Sequence, residues 1–335
     1  MPNTKSKISF SSITPDLKDY LRNKIKGHNL DISEQPLDLK KTKKDTEILG
    51  VFVDSKIDKQ VFENLPKLKM IATFSTGFDH IDLKEAKKRK ITVCNVPTYG
   101  ENTVAQHAMT LILSLSRKLF QSVKIVKEGV YDYHGLRGFD LKGKTIGIIG
   151  TGHIGIHLID MLAGFEANVI AYDAFPNPEL TKTHKFNYVS LNKLYTDSDV
   201  ISLHVPLFPT TYHMINKTAV KKMKDGVYII NTARGGLADP EALVWGLETG
   251  KIAGIGSDVL EEETYFQNPE KVLNLKNTEE VRRTLMENIL IDHPNTIITP
   301  HNAFNSIEAL QRIYDTSVDN IKAFLNDKIQ NNVIK

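Results

Sequence analysis

The 335-residue chain reads as an α/β protein made of two parallel-sheet domains. Three observations point there. Short apolar runs alternate with helical patterns along almost the whole length, the rhythm of parallel strands joined by crossover helices. The stretch from Thr145 to Asp173 reads strand, glycine-rich turn, helix, strand, acid, the order of a dinucleotide-binding unit of about thirty residues. The length supports two buried cores.

Taken in order, the first hundred residues offer candidate strands at Lys7–Ser11, Ile48–Val53, Met70–Ser75 and Ile91–Asn95. Helical patterns fall between them at Pro15–Lys26, Lys59–Leu65 and Asp82–Lys88. Pro15 after Thr14 suits a helix start, where its missing N–H costs nothing. These elements make a small α/β domain of their own. Glu101–Phe120 is a long helical pattern, apolar on nearly every face from Ala105 to Leu115, and reads as a buried helix linking two domains. Residues 121–144 contain the aromatic, glycine-bearing segment VYDYHGLRGFDLKG and read as a surface excursion.

The second domain opens with a buried strand at 145–149, followed by Gly150, Gly152 and Gly155 in a GxGxxG pattern. Gly150 permits a tight turn, Gly152 lets the backbone approach a pyrophosphate, and Gly155 lets helix and strand pack closely. The intervening Thr151, His153 and Ile154 complete the turn and open a helix that runs to Leu162. A pyrophosphate there would sit on the helix N-terminus, where unpaired N–H groups and the helix dipole favour an anion. A strand at 168–172 ends in Asp173, placed to accept from a ribose 2′-OH. A 2′-phosphate at that point would meet a like charge, so the expected cofactor is NAD and not NADP.

The βα rhythm then continues. Strands are expected at Asp199–His204, Val227–Asn231, Ile252–Ser257 and Ile297–Thr299, with helices at Asn216–Met223 and Pro240–Glu248. Ser306–Leu325 is helical and long enough to return and pack on the first domain. The segment 264–295 is long for a connection between strands; a helical pattern near Thr278–Leu290 suggests that it contributes structure, a subunit contact being one use.

Composition excludes several function classes. The formal net charge of +3 is too small a bias to argue for nucleic acid, and the basic runs Lys40–Lys44 and Lys87–Lys90 read as solvated faces. Cys94 is the one cysteine, so no intrachain disulfide can form; its apolar setting reads as a buried structural thiol. No apolar run reaches membrane-spanning length, and the first ten residues lack the apolar core of a signal peptide. The expectation is a cytoplasmic protein.

Ligands of open parallel sheets bind outside the C-terminal ends of strands. Four motifs fall at such ends: GTGHIG, NTARGG at Asn231–Gly236, DVLEEE at Asp258–Glu263 and PHNAF at Pro300–Phe304. They bring forward Arg234, Asp258, Glu263 and His301. A nicotinamide exchanges a hydride, so the substrate must gain or lose a proton on oxygen. His301 suits that task, because an ordinary imidazole both donates and accepts near neutral pH. Glu263 could hold the other ring nitrogen and stabilise the imidazolium. Arg234 could clamp an α-keto carboxylate and polarise its carbonyl through its planar fork.

On these residues, and on STGFDHID, NVPTYGENTVAQHA, AYDAFPNPEL, HVPLFPTTYHMIN, GSDVL and TPHNAF, the chain resembles the D-isomer-specific 2-hydroxyacid dehydrogenase family nearly end to end, and within it the D-lactate dehydrogenase branch. The resemblance implies an NAD-binding Rossmann domain (101–299) inserted into a flavodoxin-like substrate domain (1–100 and 300–335). It implies that Arg234 binds and orients substrate, that Glu263 partners the acid–base His301, and that Thr76 and Gly77 offer N–H groups to the substrate carboxylate. Val205, Pro206, Thr232 and Ala233 would line the cofactor, with Asp258 near the nicotinamide. Tyr99 and Phe304 match aromatic positions that line the pocket.

The implied activity is reversible reduction of a small 2-oxo acid to the D-2-hydroxy acid, pyruvate and D-lactate being the favoured pair. It needs no metal and is carried by a homodimer without nucleic-acid or membrane partners. Glyoxylate or hydroxypyruvate reduction, or 3-phosphoglycerate oxidation, are the alternatives within the family. An NAD-sensing, corepressor-like binding protein is the alternative of another class, against which the complete Arg–Glu–His set argues. Three departures stand out: Thr264 where the family often has proline, Gln106 where many members have glutamate, and 37 residues between Glu263 and His301, more than is usual. These bear on substrate identity and not on reaction type.

Overall fold

The computed structural model describes residues 5–267, 270 and 277–334; the first four residues and parts of the 264–295 segment lie outside them. The chain divides into two units, Met1–Tyr99 with Ser306–Lys335, and Gly100–Asn305.

The first unit begins β1 (Lys7–Phe10), α1 (Pro15–Lys24), β2 (Asn29–Ile32), β3 (Ile48–Val51), α2 (Lys59–Asn64), β4 (Met70–Thr73), α3 (Leu83–Lys88), β5 (Thr92–Cys94). The five strands are parallel in the order β2-β1-β3-β4-β5, the flavodoxin-like arrangement. β3 and β4 are buried throughout, which is why they read as continuous apolar runs. Alternation along them sends Leu49, Val51, Ile71 and Val93 to one face, where Val61, Phe62 and Ala86 of α2 and α3 cover them. Asp58 and Asp82 start those two helices by accepting from the Gln60 and Glu85 N–H groups. Cys94 is buried, and burial pushes its thiol up to about 11, the state of an unreactive sulfur.

The second unit continues with α4 (Glu101–Ser116), α5 (Leu119–Lys127), β6 (Thr145–Ile149), α6 (His153–Ala163), β7 (Asn168–Tyr172), α7 (Leu180–Thr183), β8 (Asn187–Tyr188) and α8 (Leu191–Asp197). Then come β9 (Val200–Leu203), α9 (Lys217–Lys222), β10 (Val227–Asn231), α10 (Pro240–Glu248), β11 (Ile252–Ser257), α11 (Glu263–Gln267), α12 (Thr278–Asp292) and β12 (Thr296–Ile298). Its seven strands are parallel in the order β12-β11-β10-β9-β6-β7-β8, a doubly wound sheet whose order reverses between β6 and β9. α4 packs on α6, β10 and β11; at Gly256 a Cβ would come within 2.9 Å of the Leu111 Cβ, so glycine admits the helix to the sheet.

The helix expected to run to Phe120 stops at Ser116. Lys118 takes φ +49°, and a second helix restarts at Leu119, so part of the expected excursion is helical. After β12 the chain returns to the first unit as α13 (Ile307–Leu325), where it packs on β4 and α1 and buries Ala309, Ile313, Val318 and Ile321. The return starts at Ser306, later than the expected residue 300. The reason is that the Asn302 and Ala303 amides are tied to Asp258 of the second unit.

Candidate active site

The glycine turn lies at the reversal point of the second sheet. Gly150 takes φ +100°, and a Cβ there would come within 2.6 Å of the His204 carbonyl at the end of β9. A Cβ on Gly155 would meet the Gly150 carbonyl at 2.1 Å, so this glycine lets α6 start against the turn. At Gly152 a Cβ would meet nothing within 4 Å, and no side chain caps α6. The exposed Gly152 and His153, with Ile154 behind them, therefore offer a cradle of open main chain at a helix N-terminus, the form that suits a pyrophosphate.

Asp173, at the end of β7, accepts from the Thr151 N–H at 2.8 Å and from the Phe175 N–H at 2.9 Å. The Thr151 hydroxyl adds a third bond at 3.0 Å. A carboxylate has roughly four lone-pair sites, so about one is left for a ribose hydroxyl. Val205 lies against Gly150, and the Pro206 carbonyl accepts from Thr211. At the end of β10 the Thr232 hydroxyl is buried with no partner among the described residues, an orphan that fits a ligand-facing position. Ala233 donates to the Asn231 side chain, which also holds the Arg234 carbonyl and so sets the turn.

The chemistry gathers on three loops of this unit. Arg234 donates from Nη1 to the Ala233 carbonyl at 2.7 Å. A Cβ on the following Gly235 would meet Leu260 main chain at 2.0 Å, so glycine brings the arginine loop against the loop that precedes Glu263. Glu263 opens α11. Its Oε1 accepts from the Leu260 N–H at 3.1 Å and its Oε2 lies 2.8 Å from His301 Nδ1, which fixes the tautomer with the proton on Nδ1 and leaves Nε2 for substrate. Burial lowers the His301 pKa, and the Arg234 charge lowers it further; the hydrogen bond and charge of Glu263, with Asp258, outweigh both, so His301 is raised above an ordinary histidine.

His301 is held at φ +52°, a left-handed conformation that costs about 1–2 kcal/mol for a residue with a Cβ. Asp258 accounts for it. Its carboxylate accepts from the Asn302 N–H at 3.0 Å, the Ala303 N–H at 2.7 Å and the Thr299 hydroxyl at 2.5 Å. His107 of α4 lies 3.0 Å from that hydroxyl. Asp258 is 0% exposed, and it clamps the histidine turn from within. His107 and Thr299 stand inside motifs that carry the resemblance, NVPTYGENTVAQHA and TPHNAF, but the sequence reading gave neither a role, because what links them to Asp258 is a contact between distant segments.

The first unit holds the remaining expected residues. Thr76 and Gly77 follow β4. The Thr76 hydroxyl donates to the Val96 carbonyl at 2.7 Å, Asn95 Nδ2 donates to the Thr76 carbonyl at 2.8 Å, and Ser75 donates to the Gly77 carbonyl at 2.6 Å. These bonds fix the loop through its carbonyls and hydroxyl, not through its amides. Tyr99 ends this unit, its carbonyl accepting from Arg312 of α13, whereas Phe304 is half-buried in the second unit.

The family profile "D-isomer specific 2-hydroxyacid dehydrogenase, NAD binding domain" matches residues 109–303. A D-lactate dehydrogenase of Escherichia coli is 35% identical over 285 residues, 84% of each chain. An aromatic 2-oxoacid reductase of Clostridium sporogenes is 40% identical over 258 residues, 77% of this chain and 76% of that one. The crystal structure of D-lactate dehydrogenase from Aquifex aeolicus, complexed with NAD and lactic acid, superposes with a TM-score of 0.88 at 34% identity, covering 98% of this chain and 99% of that one.

Proposed function

Because the chain belongs to the D-isomer-specific 2-hydroxyacid dehydrogenase family, and is thereby an NAD-dependent oxidoreductase of 2-oxo and 2-hydroxy acids, we propose that its favoured pair is pyruvate and D-lactate. The observation that carries the mechanism is the His301–Glu263 bond of 2.8 Å beside Arg234. NAD, when bound, supplies or takes up the hydride at the substrate C2. Arg234 holds the carboxylate and polarises the carbonyl, its fork matching both oxygens. The Thr76 and Gly77 amides are read as further carboxylate donors. His301, kept protonated beside Glu263, gives its Nε2 proton to the carbonyl oxygen in reduction and takes it back in oxidation.

The similarity to D-lactate dehydrogenases favours pyruvate. A larger 2-oxo acid is the second reading, favoured by the similarity to an aromatic 2-oxoacid reductase. NADH oxidation measured against a panel of 2-oxo acids separates these readings. Turnover of pyruvate with kcat/KM above that of phenylpyruvate and glyoxylate is expected. The reverse order would reassign the substrate, and no turnover of any 2-oxo acid would return the chain to the class of NAD-binding proteins. His301→Gln is expected to lower kcat by roughly 100-fold or more.

We also infer a homodimer. α5 and the residues after it leave Leu119, Phe120, Val123, Val126 and Val130 40% exposed or more, with Tyr131 95% exposed, and a cluster of large apolar side chains left in water along one segment is the kind of surface a subunit contact covers. Light scattering at assay concentration tests it; a monomer mass would refute it.

A further inference from the structure

α12 belongs to the stretch that makes the interval between Glu263 and His301 long, and it carries a buried carboxylate with no part in the chemistry above. Glu287 is 2% exposed. It accepts from the Glu261 N–H at 2.5 Å and from the Glu262 N–H at 3.2 Å, one amide to each oxygen. These are the two main-chain groups immediately before Glu263. One turn earlier on the same helix, Arg283 pairs with Glu262 at 2.7 Å and lies 3.5 Å from Glu261. Both residues of α12 therefore grip the same four-residue turn. The turn in turn feeds Glu263, whose Oε1 closes back on the Leu260 N–H while its Oε2 holds His301.

A carboxylate is a costly group to place here. Glu287 borders a small cavity of about 20 Å³ walled mainly by apolar residues, among them Leu243, Ile255, Val259 and Leu290. Leucine would match the apolar walls without the cost of burying an acid. What leucine could not do is accept two amides that would otherwise be buried without partners, and so fix the path of the main chain into Glu263. The orientation of Glu263 is worth fixing, because a histidine partner displaced by about an ångström forfeits much of its effect.

We propose that Glu287, assisted by Arg283, is a positioning residue for the acid–base pair: it holds the 260–263 turn from α12 so that Glu263 reaches His301 Nδ1. The inference rests on the reading of His301 as the acid–base group. Burial raises the Glu287 pKa to about 7, against the two amides, which lower it, and the charges of Glu262 and Glu261, which raise it. From α10, the charged group at α12 is Glu241, which pairs with Arg282. His301 itself is faced by Glu263, Arg234 and Asp258.

The test uses the full-length enzyme with NADH and the 2-oxo acid that the panel shows to be best, with kcat and KM followed across pH. Glu287→Gln keeps the shape and one acceptor. It is expected to lower kcat by roughly 10- to 100-fold with KM unchanged. It is also expected to move the alkaline limb of kcat to lower pH, because a loosened Glu263 no longer holds the His301 proton. Arg283→Gln, at a partly exposed site, should shift both quantities the same way by less, and it carries the test if Glu287→Gln is insoluble. Parental kcat and limb in the folded variants, or a loss of thermal stability with kcat per folded enzyme unchanged, would overturn the proposal. His301→Gln run alongside separates the two claims. If it is inactive while the α12 variants behave as parent, the positioning role alone fails; if it is fully active, the acid–base reading fails.

Discussion

Replacing Glu263 with glutamine tests the proton relay with the smallest change of shape. Both side chains of the His301–Glu263 pair are about three-quarters buried, at 27% and 28% exposure, and their atoms lie 2.8 Å apart. A charge-assisted hydrogen bond in such a setting contributes about 1.5–3 kcal/mol. At about 1.4 kcal/mol per tenfold change in rate, that is roughly 10- to 100-fold in kcat. The sign follows from what is left behind. Without the carboxylate, burial and Arg234 both act on His301, and both favour the neutral ring. The protonated form then disappears at lower pH. Reduction of the 2-oxo acid, which needs the acid, should fall first on the alkaline side and approach the parental rate at acid pH. Oxidation of the 2-hydroxy acid, which needs the neutral ring, should be spared at high pH. KM for the 2-oxo acid should hold, because Arg234 is untouched. Steady-state NADH absorbance in both directions across pH measures all of this. Superimposable profiles for the two enzymes would refute the relay.

Four further outcomes are expected. Gly155→Ala should cost about 1–3 kcal/mol in chemical denaturation, because its Cβ would sit 2.1 Å from the Gly150 main-chain oxygen; Gly152→Ala should leave stability unchanged and raise KM for NADH, since only a ligand occupies that space. Asp173→Ala should narrow the preference for NADH over NADPH and, by releasing the Thr151 and Phe175 amides, cost about 1–2 kcal/mol in the same denaturation assay. Glu287, raised from 4.5 to about 7, holds a proton in the folded state that the unfolded chain has released, so its contribution is full below pH 4.5 and is lost as pH rises through about 7. Urea midpoints should show stability declining by up to about 3 kcal/mol across that window, and Glu287→Gln should flatten the decline.

What could be read in advance was whatever the backbone and the burial pattern dictate together. β3, β4, β9 and β10 are almost wholly buried, so their sequences are continuous apolar runs with nothing to confuse them. β2, reading NLDI at the sheet edge with no fully buried residue, carries no such pattern, and β8 has two residues. The break between α4 and α5 depends on a left-handed Lys118, a conformation that lysine does not advertise. At the candidate site, Arg234, Glu263 and His301 could be singled out in the sequence because each lies in a dense motif that follows a strand. Thr299, His107 and Glu287 could not, because their roles arise from contacts across 41, 192 and 26 residues of chain. A buried acid in a helix looks, in one dimension, like any surface glutamate.

The two units are not completed in the order in which they begin. β1 to β5 leave the ribosome first, yet the helix that packs on β4 and α1 is α13, separated from them by the roughly 200 residues of the second unit. At about 5–20 residues per second, the early strands wait about 10–40 s for their last covering helix. The second unit is contiguous and can close while they wait. A nascent chain therefore makes the whole second unit while β4 of the first still exposes Met70 and Ala72, and truncation anywhere in α13 removes a wall of the earlier-made unit, not of the later one.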